Sequence, residues 1–173
     1  MALENKKGSI NISKIDGDSS NLPSADTFDG KIFTQVETVA KSATSSADGS
    51  TYIVARVPSD AIVVDIKYGN TAITGASDAD IGIYKHADKD NNIGTVVDKD
   101  LFLDGVTMAN ARTGLSGDGI LALTADKIGK KLYELEPTPL TTKPGYDYDI
   151  VITLNTAGSG TGTMSAKVSY LKA

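Results

Sequence analysis

The sequence contains no cysteine and no tryptophan, and it contains a single histidine, His86. Without cysteine the protein cannot form disulfides, thiolate nucleophiles or cysteine-ligated zinc and iron–sulfur centres. One histidine cannot build a histidine-rich metal site, and histidine is the side chain that most often acts as a general base. These absences predict a protein that is not an enzyme.

Basic residues are fewer than acidic ones, with 17 Lys and Arg against 22 Asp and Glu and a net charge of −5. We expect no nucleic-acid partner, because nucleic-acid binding requires a basic face. No run of 18 apolar residues occurs, so we expect no membrane span. The first seven residues (MALENKK) lack the apolar stretch of a secretory signal, and a chain without cysteine suits a reducing cytoplasm.

Helix-forming glutamate is scarce, whereas aspartate, glycine, serine and threonine are abundant. Aspartate bonds to its own backbone and favours turns and caps. Turn residues recur about every ten positions between short apolar or alternating runs. This pattern predicts a mainly β protein, an antiparallel β-sandwich of the jelly-roll kind with one short lateral helix.

The chain divides into an extended N-terminal arm, residues 1–30, and a β-sandwich domain, residues 31–173. The arm is polar and interrupted by glycines, and its apolar anchors are Ile10, Ile12 and Ile15. So few apolar side chains cannot bury enough surface to order the arm alone. Alternation over 9–13 leaves open a short strand there.

Strands are predicted at 31–41, 51–57, 61–68 and 80–85, with a short one at 95–97. The clearest signal lies in residues 146–155 and 163–170, where apolar and polar residues alternate on both sides of a glycine-rich loop. Two such runs predict an antiparallel hairpin with one buried face. Tyr148, Ile150 and Ile152 would face the core, and Asp147 and Asp149 would face solvent.

The helix is predicted over residues 126–136. Asp126 is the candidate N-cap, Ile128, Leu132 and Leu135 share one helical face, and Pro137 ends the run.

A weak metal candidate is the loop that contains Asp88, Asp90 and Asn92, which opens like a calcium-binding loop. Ile93 stands where the sharp turn requires glycine, and Lys99 stands where a bidentate glutamate is required. We therefore interpret this loop as a polar hairpin tip and expect no metal and no cofactor. Added calcium should change the melting temperature by about a degree at most. A second acidic pair, Asp78 and Asp80, is interpreted as a solvated turn.

Catalytic patterns are equally weak. Gly158-Ser159-Gly160 lacks the strand-to-helix setting of a nucleophile elbow, and we interpret it as a hairpin loop. Asp147 and Asp149 share a strand face, but solvent exposure makes a catalytic carboxylate pair the less favoured alternative. His86 follows a strand and is interpreted as a surface residue.

Several stretches together resemble, in amino-acid sequence, small structural proteins from tailed bacteriophages. They are 61–70 (AIVVDIKYGN), 78–84 (DADIGIY), 97–102 (VDKDLF), 111–113 (ART), 130–135 (KKLYEL) and 148–155 (YDIVITLN). The chain resembles head decoration proteins, also called capsid cement proteins, over residues 31–172. These stretches are not a fixed motif, and no catalytic residue is carried over with them.

The resemblance implies a virion structural protein that is made in the host bacterial cytoplasm and bound to the outer capsid surface. It implies a homotrimer and a partnership with the major capsid protein, whose neighbouring subunits the arm would clamp. The alternative is a head fibre or tail module that binds glycans or a cell surface. The absence of tryptophan weakens that alternative, because sugar-binding sites commonly stack sugars on aromatic rings.

The candidate capsid contacts lie in the arm. Ile10, Ile12 and Ile15 would dock into a groove of the partner, and Lys6, Lys7 and Lys14 would meet an acidic capsid surface. The competing interpretation is that Ile10 and Ile12 add an edge strand to the protein's own sheet.

Overall fold

The computed structural model describes residues 5–7, 32–42, 44, 46–86 and 93–172. These residues form nine strands and one short 3-10 helix, Leu132–Leu135. The strands are β1 (Asn5–Lys7), β2 (Ile32–Lys41), β3 (Ser50–Val57), β4 (Ala61–Asn70), β5 (Asp78–Lys85), β6 (Val96–Val106), β7 (Arg112–Asp118), β8 (Tyr148–Thr156) and β9 (Gly162–Lys172). The predicted mainly β fold is confirmed.

The strands form two sheets. One sheet has five strands in the order β1-β3-β8-β5-β6, and the other has four in the order β2-β9-β4-β7. Neighbouring strands are antiparallel, except that β1 pairs parallel with β3. The inner faces of the two sheets enclose a single hydrophobic core, as in other β-sandwiches.

The predicted inward faces of the last two strands are confirmed. Tyr148, Ile150, Ile152 and Leu154 of β8 lie in the same core as the inward residues of β9, which are Met164, Ala166, Val168 and Tyr170. Phe33 of β2 stacks on Tyr170, with ring centroids 5.4 Å apart.

The predicted C-terminal hairpin is wrong, because β8 and β9 lie in different sheets. β8 pairs with β3 and β5, while β9 pairs with β2 and β4. Residues 157–161 therefore cross from one sheet to the other. The amide N–H of Gly160 donates to the Thr74 carbonyl at 3.0 Å, and the buried Lys41 ammonium donates to the Gly160 carbonyl at 2.6 Å. These contacts hold the crossing to other parts of the sandwich.

The predicted lateral α-helix is also wrong, because only Leu132–Leu135 is helical and it forms a single 3-10 turn. Gly129 has a φ of 79°, a left-handed conformation that interrupts an α-helix. Ile128, placed before this break, is 66% exposed, whereas Leu132 and Leu135 after it are buried. The Tyr133 amide donates to the Ser59 carbonyl at 3.1 Å and docks the turn on the sandwich.

Three further elements differ from the sequence-based expectations. β6 extends to Val106 beyond the short strand predicted at 95–97, and β7 occupies a region without clear alternation. β1 is a three-residue polar strand that no apolar or alternating pattern in the sequence predicts. The strand considered at 9–13 lies outside the described residues.

Candidate interaction site

The predicted arm contacts fall partly within the described chain. Lys6 and Lys7 lie in β1, where they are in register with Tyr52 and Ile53 of β3. The backbone of this short segment therefore belongs to an edge of the protein's own five-stranded sheet. The other predicted contacts, Ile10, Ile12, Lys14 and Ile15, lie outside the described residues.

The metal candidates Asp88, Asp90 and Asn92 also lie outside the described residues. Within the described ranges, no group of three or more His, Asp or Glu side chains is arranged to hold a metal ion.

The acidic pair Asp78 and Asp80 does not form a solvated turn, because it begins strand β5. Asp80 is buried and accepts hydrogen bonds from the Gly105 amide at 2.9 Å and the Asn155 side chain at 2.7 Å. The Lys99 ammonium lies 3.3 Å from the same carboxylate. This network ties β5 to β6 and β8, so Asp80 is a structural residue.

Asp149 is fully buried, against the expectation that it faces solvent. Arg56 of β3 binds both of its oxygens, with Nε to Oδ1 at 2.8 Å and the second guanidinium contact at 3.3 Å. Val151 and Thr153 lie on the same outer face of β8 and are also buried, so this face is covered, and a carboxylate there needs a cation. With both oxygens engaged, Asp149 is not available as a catalytic acid or nucleophile.

His86 lies beside this ion pair rather than on an open surface. It is half-buried, and its Nδ1 is 3.4 Å from Asp149 Oδ2. Burial raises the pKa of the nearby Asp147 carboxyl, and the charges of His86, Lys143 and Arg56 act in the opposite direction. The group is an electrostatic cluster around the buried Arg56–Asp149 pair, at one end of the five-stranded sheet.

A second polar cluster, centred on Glu136, has no signal in the sequence. The hydroxyls of Tyr146 and Tyr148 both donate to Glu136 Oε1, and Lys85 lies 3.8 Å from Oε2. Burial, followed by the hydrogen bond to Glu136, raises the pKa of Tyr148. The cluster fastens the end of the 3-10 turn to β8, because Glu136 is the residue that follows Leu135.

The reactive side chains described so far are committed to holding the sandwich together, so the remaining functional candidates are surfaces. Three exposed aliphatic residues lie on one surface, the outer face of the four-stranded sheet: Ile32 at 63%, Val36 at 46% and Val64 at 41% exposure. On the outer face of the five-stranded sheet, by contrast, Ile53, Tyr84 and Val151 are buried and pack with Ile93.

The described part of the chain also lacks any helix with the length and apolarity to cross a membrane.

No family model matches the sequence, and no curated protein matches it. Two solved structures are similar to the chain over most of its length. A chain of the capsid of Ralstonia phage GP4 superposes with a TM-score of 0.51 and 13% sequence identity, over 87% of this chain and 90% of that one. A chain of the cyanophage Pam1 capsid asymmetric unit gives a TM-score of 0.49 and 17% identity, over 88% and 95% of the two chains. At 13% identity the similarity to the Ralstonia phage GP4 chain concerns the β-sandwich fold alone.

Proposed function

We propose that this protein is a non-enzymatic structural component of a tailed-phage virion, a decoration protein that binds the outer surface of the capsid lattice and stabilises it. The observation that carries the proposal is the fold shared with a chain of the Ralstonia phage GP4 capsid across most of both chains. The resemblance of several stretches within residues 31–172 to head decoration proteins supports the same proposal independently of the fold.

The chemistry of the described residues is consistent with a structural role. The buried carboxylates Asp80 and Asp149 and the half-buried Glu136 are each engaged by cations or hydrogen-bond donors from neighbouring strands. They rigidify the sandwich, as satisfied buried polar networks do. A rigid, well-packed domain suits a protein that reinforces a shell.

In this proposal the N-terminal segment is one contact with the major capsid protein. β1 fixes the position of Asn5–Lys7 at the edge of the five-stranded sheet, and Ile10, Ile12, Lys14 and Ile15 follow along the chain. Apolar side chains in a segment of low apolar content gain most by binding a partner's groove. The proposed assembly is a homotrimer, which closes a ring of identical contacts at a lattice symmetry axis.

The shell-binding experiment uses expanded heads from a mutant of the parent phage that lacks this protein. The purified chain should sediment with these heads and raise their disruption temperature, and a variant lacking residues 8–15 should bind at least tenfold more weakly. Heads that gain neither bound protein nor stability would refute the decoration role. Equal binding by the truncated variant would refute the arm contact alone.

Light scattering of the free protein and of protein released from the heads tests the oligomeric state. Three chain masses in either sample would support the trimer, and a monomer in both would exclude it.

The glycan-binding alternative has less structural support. All seven tyrosines are buried or half-buried, so none offers an open ring on which a sugar could stack.

A further inference from the structure

A second interaction surface is the outer face of the four-stranded sheet. We call this surface the β2–β9–β4 face and define it by the main outward residues of these three strands, Ile32, Thr34, Val36, Thr38, Ile62, Val64, Asp65, Lys67, Ser165, Lys167, Ser169 and Leu171. Side chains that are directly opposite on adjacent strands share a face, so the strand register places these residues relative to one another.

An apolar band crosses one end of this face. Leu171 of β9 is directly opposite Ile32 of β2 on one side and Ile62 of β4 on the other. Ile32 is the most exposed of the three, and the exposed Val64 lies at the neighbouring bulge of β4. Isolated exposed aliphatic residues are ordinary, but a contiguous band across three strands marks a contact surface.

Two lysines lie at the centre of the same face, where Lys67 of β4 and Lys167 of β9 are directly opposite. Like charges in this position repel and destabilise a sheet. Asp65 and Asp118 partly compensate Lys67, at 3.8 and 3.6 Å. Lys167 has no ion-pair partner in the described part of the chain, and Val36 is opposite it on its other side. A carboxylate supplied from outside would relieve this repulsion.

Beyond the lysines the face opens into a groove of about 420 Å³. Its lining includes the small residues Gly69 and Ser165, with Val36 and Thr38 from β2 and Leu115 from β7. Gly69 and Ser165 are paired across β4 and β9, so no large side chain stands between the two edges. The groove has room for side chains of a partner that approaches the face.

The face is small for a single tight interface. Strands β2 and β9 have 10 and 11 residues, and at ~3.4 Å per residue and ~4.8 Å of width per strand the three-stranded face covers roughly 500 Å². A standard interface buries about 800 Å² on each partner. One such contact is weak alone, and repetition on a lattice or a second contact elsewhere on the chain would strengthen it.

We propose that the β2–β9–β4 face binds a partner protein surface in which carboxylates are flanked by apolar side chains, with a carboxylate placed against Lys167. The argument for this partner is charge complementarity: the protein is acidic, with a net charge of −5, yet Lys167 at the centre of this face lacks an ion-pair partner among the described residues, whereas Lys67 is matched by Asp65 and Asp118. For the identity of the partner the inference rests on the proposed function, under which it is the capsid subunit. This contact is additional to that of the N-terminal segment.

The test compares two doubly substituted variants of the full chain. The face variant carries Val36→Asp and Lys167→Glu. The control carries Ile128→Asp and Lys130→Glu, the same changes at exposed positions of the loop before the 3-10 turn. The face variant should bind undecorated heads at least tenfold more weakly than the native protein, and the control should bind within twofold. A milder variant, Val36→Thr with Lys167→Gln, should show an intermediate loss of binding. Because these changes are conservative, a loss in this variant is not explained by misfolding.

A second measurement does not depend on heads. An NMR titration with a synthetic peptide of alternating Asp and Val residues, at about 50 mM salt to limit screening, should shift the amide signals of Val36, Lys67 and Lys167. A peptide of alternating Lys and Val should not shift them.

The outcomes separate the two proposals. If the native protein binds heads and the face variant binds equally well, the docking face is refuted and the decoration role stands. If the native protein does not bind heads, the decoration role fails and the peptide titration alone decides the face. Peptide-induced shifts that are absent, or confined to other strands, would then refute it.

Discussion

At the scale of single residues, the main feature is a set of charges that the fold buries and pairs. Asp149 and Arg56 are 0% and 6% exposed and face each other across β8 and β3. The sequence alone indicated the face on which Asp149 lies but not its burial. Alternation assigns a side chain to one face of a strand, and only the neighbouring strands and loops decide whether that face is covered.

Arg56→Met should lower the free energy of unfolding by about 3 kcal/mol, because it leaves the Asp149 carboxylate buried without its main cation. Urea denaturation at neutral pH measures this loss. The double variant Arg56→Met with Asp149→Leu should recover most of it, since no charge then remains buried.

The matched control is Lys67→Met, which removes a half-exposed lysine from its contacts with Asp65 and Asp118. Its effect should stay within about 0.5 kcal/mol, as for other exposed ion pairs. Equal losses for Arg56→Met and Lys67→Met would show that the buried Arg56–Asp149 pair contributes no more to the free energy of unfolding than an exposed ion pair does.

At the scale of secondary structure, the sequence predicted strand positions better than strand partners. The strands β2 to β5, β8 and β9 lie close to their predicted positions, because each has a clear apolar pattern. The hairpin prediction failed because two alternating runs joined by a short glycine-rich loop are compatible with a hairpin and also with a crossing between sheets. The covered outer face of β8, with Val151 and Asp149 buried, distinguishes the two, and it depends on contacts distant in sequence.

The crossing loop and the interrupted helix each contain a glycine with positive φ, and the two provide a matched pair. Gly158 has a φ of 65°, and an added Cβ would lie 2.4 Å from the Thr74 carbonyl oxygen. Gly129 has a φ of 79°, and an added Cβ would have no atom within 4 Å. Both residues have the left-handed backbone conformation that favours glycine, but only Gly158 is also closely packed against other backbone atoms.

Gly129→Ala should therefore cost about 1 kcal/mol, the backbone strain alone. Gly158→Ala should cost at least ~2 kcal/mol more, because the loop at residues 74–76 must move. Thermal unfolding followed by circular dichroism compares the two variants. A Gly158→Ala protein as stable as Gly129→Ala would show that the crossing is not held tightly.

At the scale of the whole molecule, the buried tyrosines should make the free energy of unfolding fall as the pH rises into the alkaline range. Burial raises the pKa of Tyr68, Tyr84, Tyr148 and Tyr170 above the usual value of 10.0. The folded protein thus holds these protons more tightly than the unfolded chain does. Their contribution to stability is complete below pH 10 and is lost as the pH rises through the folded-state pKa values.

Ultraviolet titration of phenolate formation should show these four tyrosines ionising later in the folded protein than in urea. The urea midpoint should be the same at about pH 8 and about pH 9 and should fall by about pH 11. Tyr148→Phe should weaken this fall, whereas a native protein in which these four tyrosines titrate near pH 10 would contradict the burial of their hydroxyls.

The order of the strands also determines when the protein can fold during its synthesis. β9 lies between β2 and β4, and β8 lies between β3 and β5, so in each sheet one interior strand follows all the other strands of that sheet along the chain. Until residues 148–172 have left the ribosome, the earlier strands have exposed edges and no complete core. Each nascent chain is then open to pairing with its neighbours. The sandwich therefore cannot complete its folding before both strands have been translated, and chains truncated before β8 should aggregate rather than accumulate as a smaller domain.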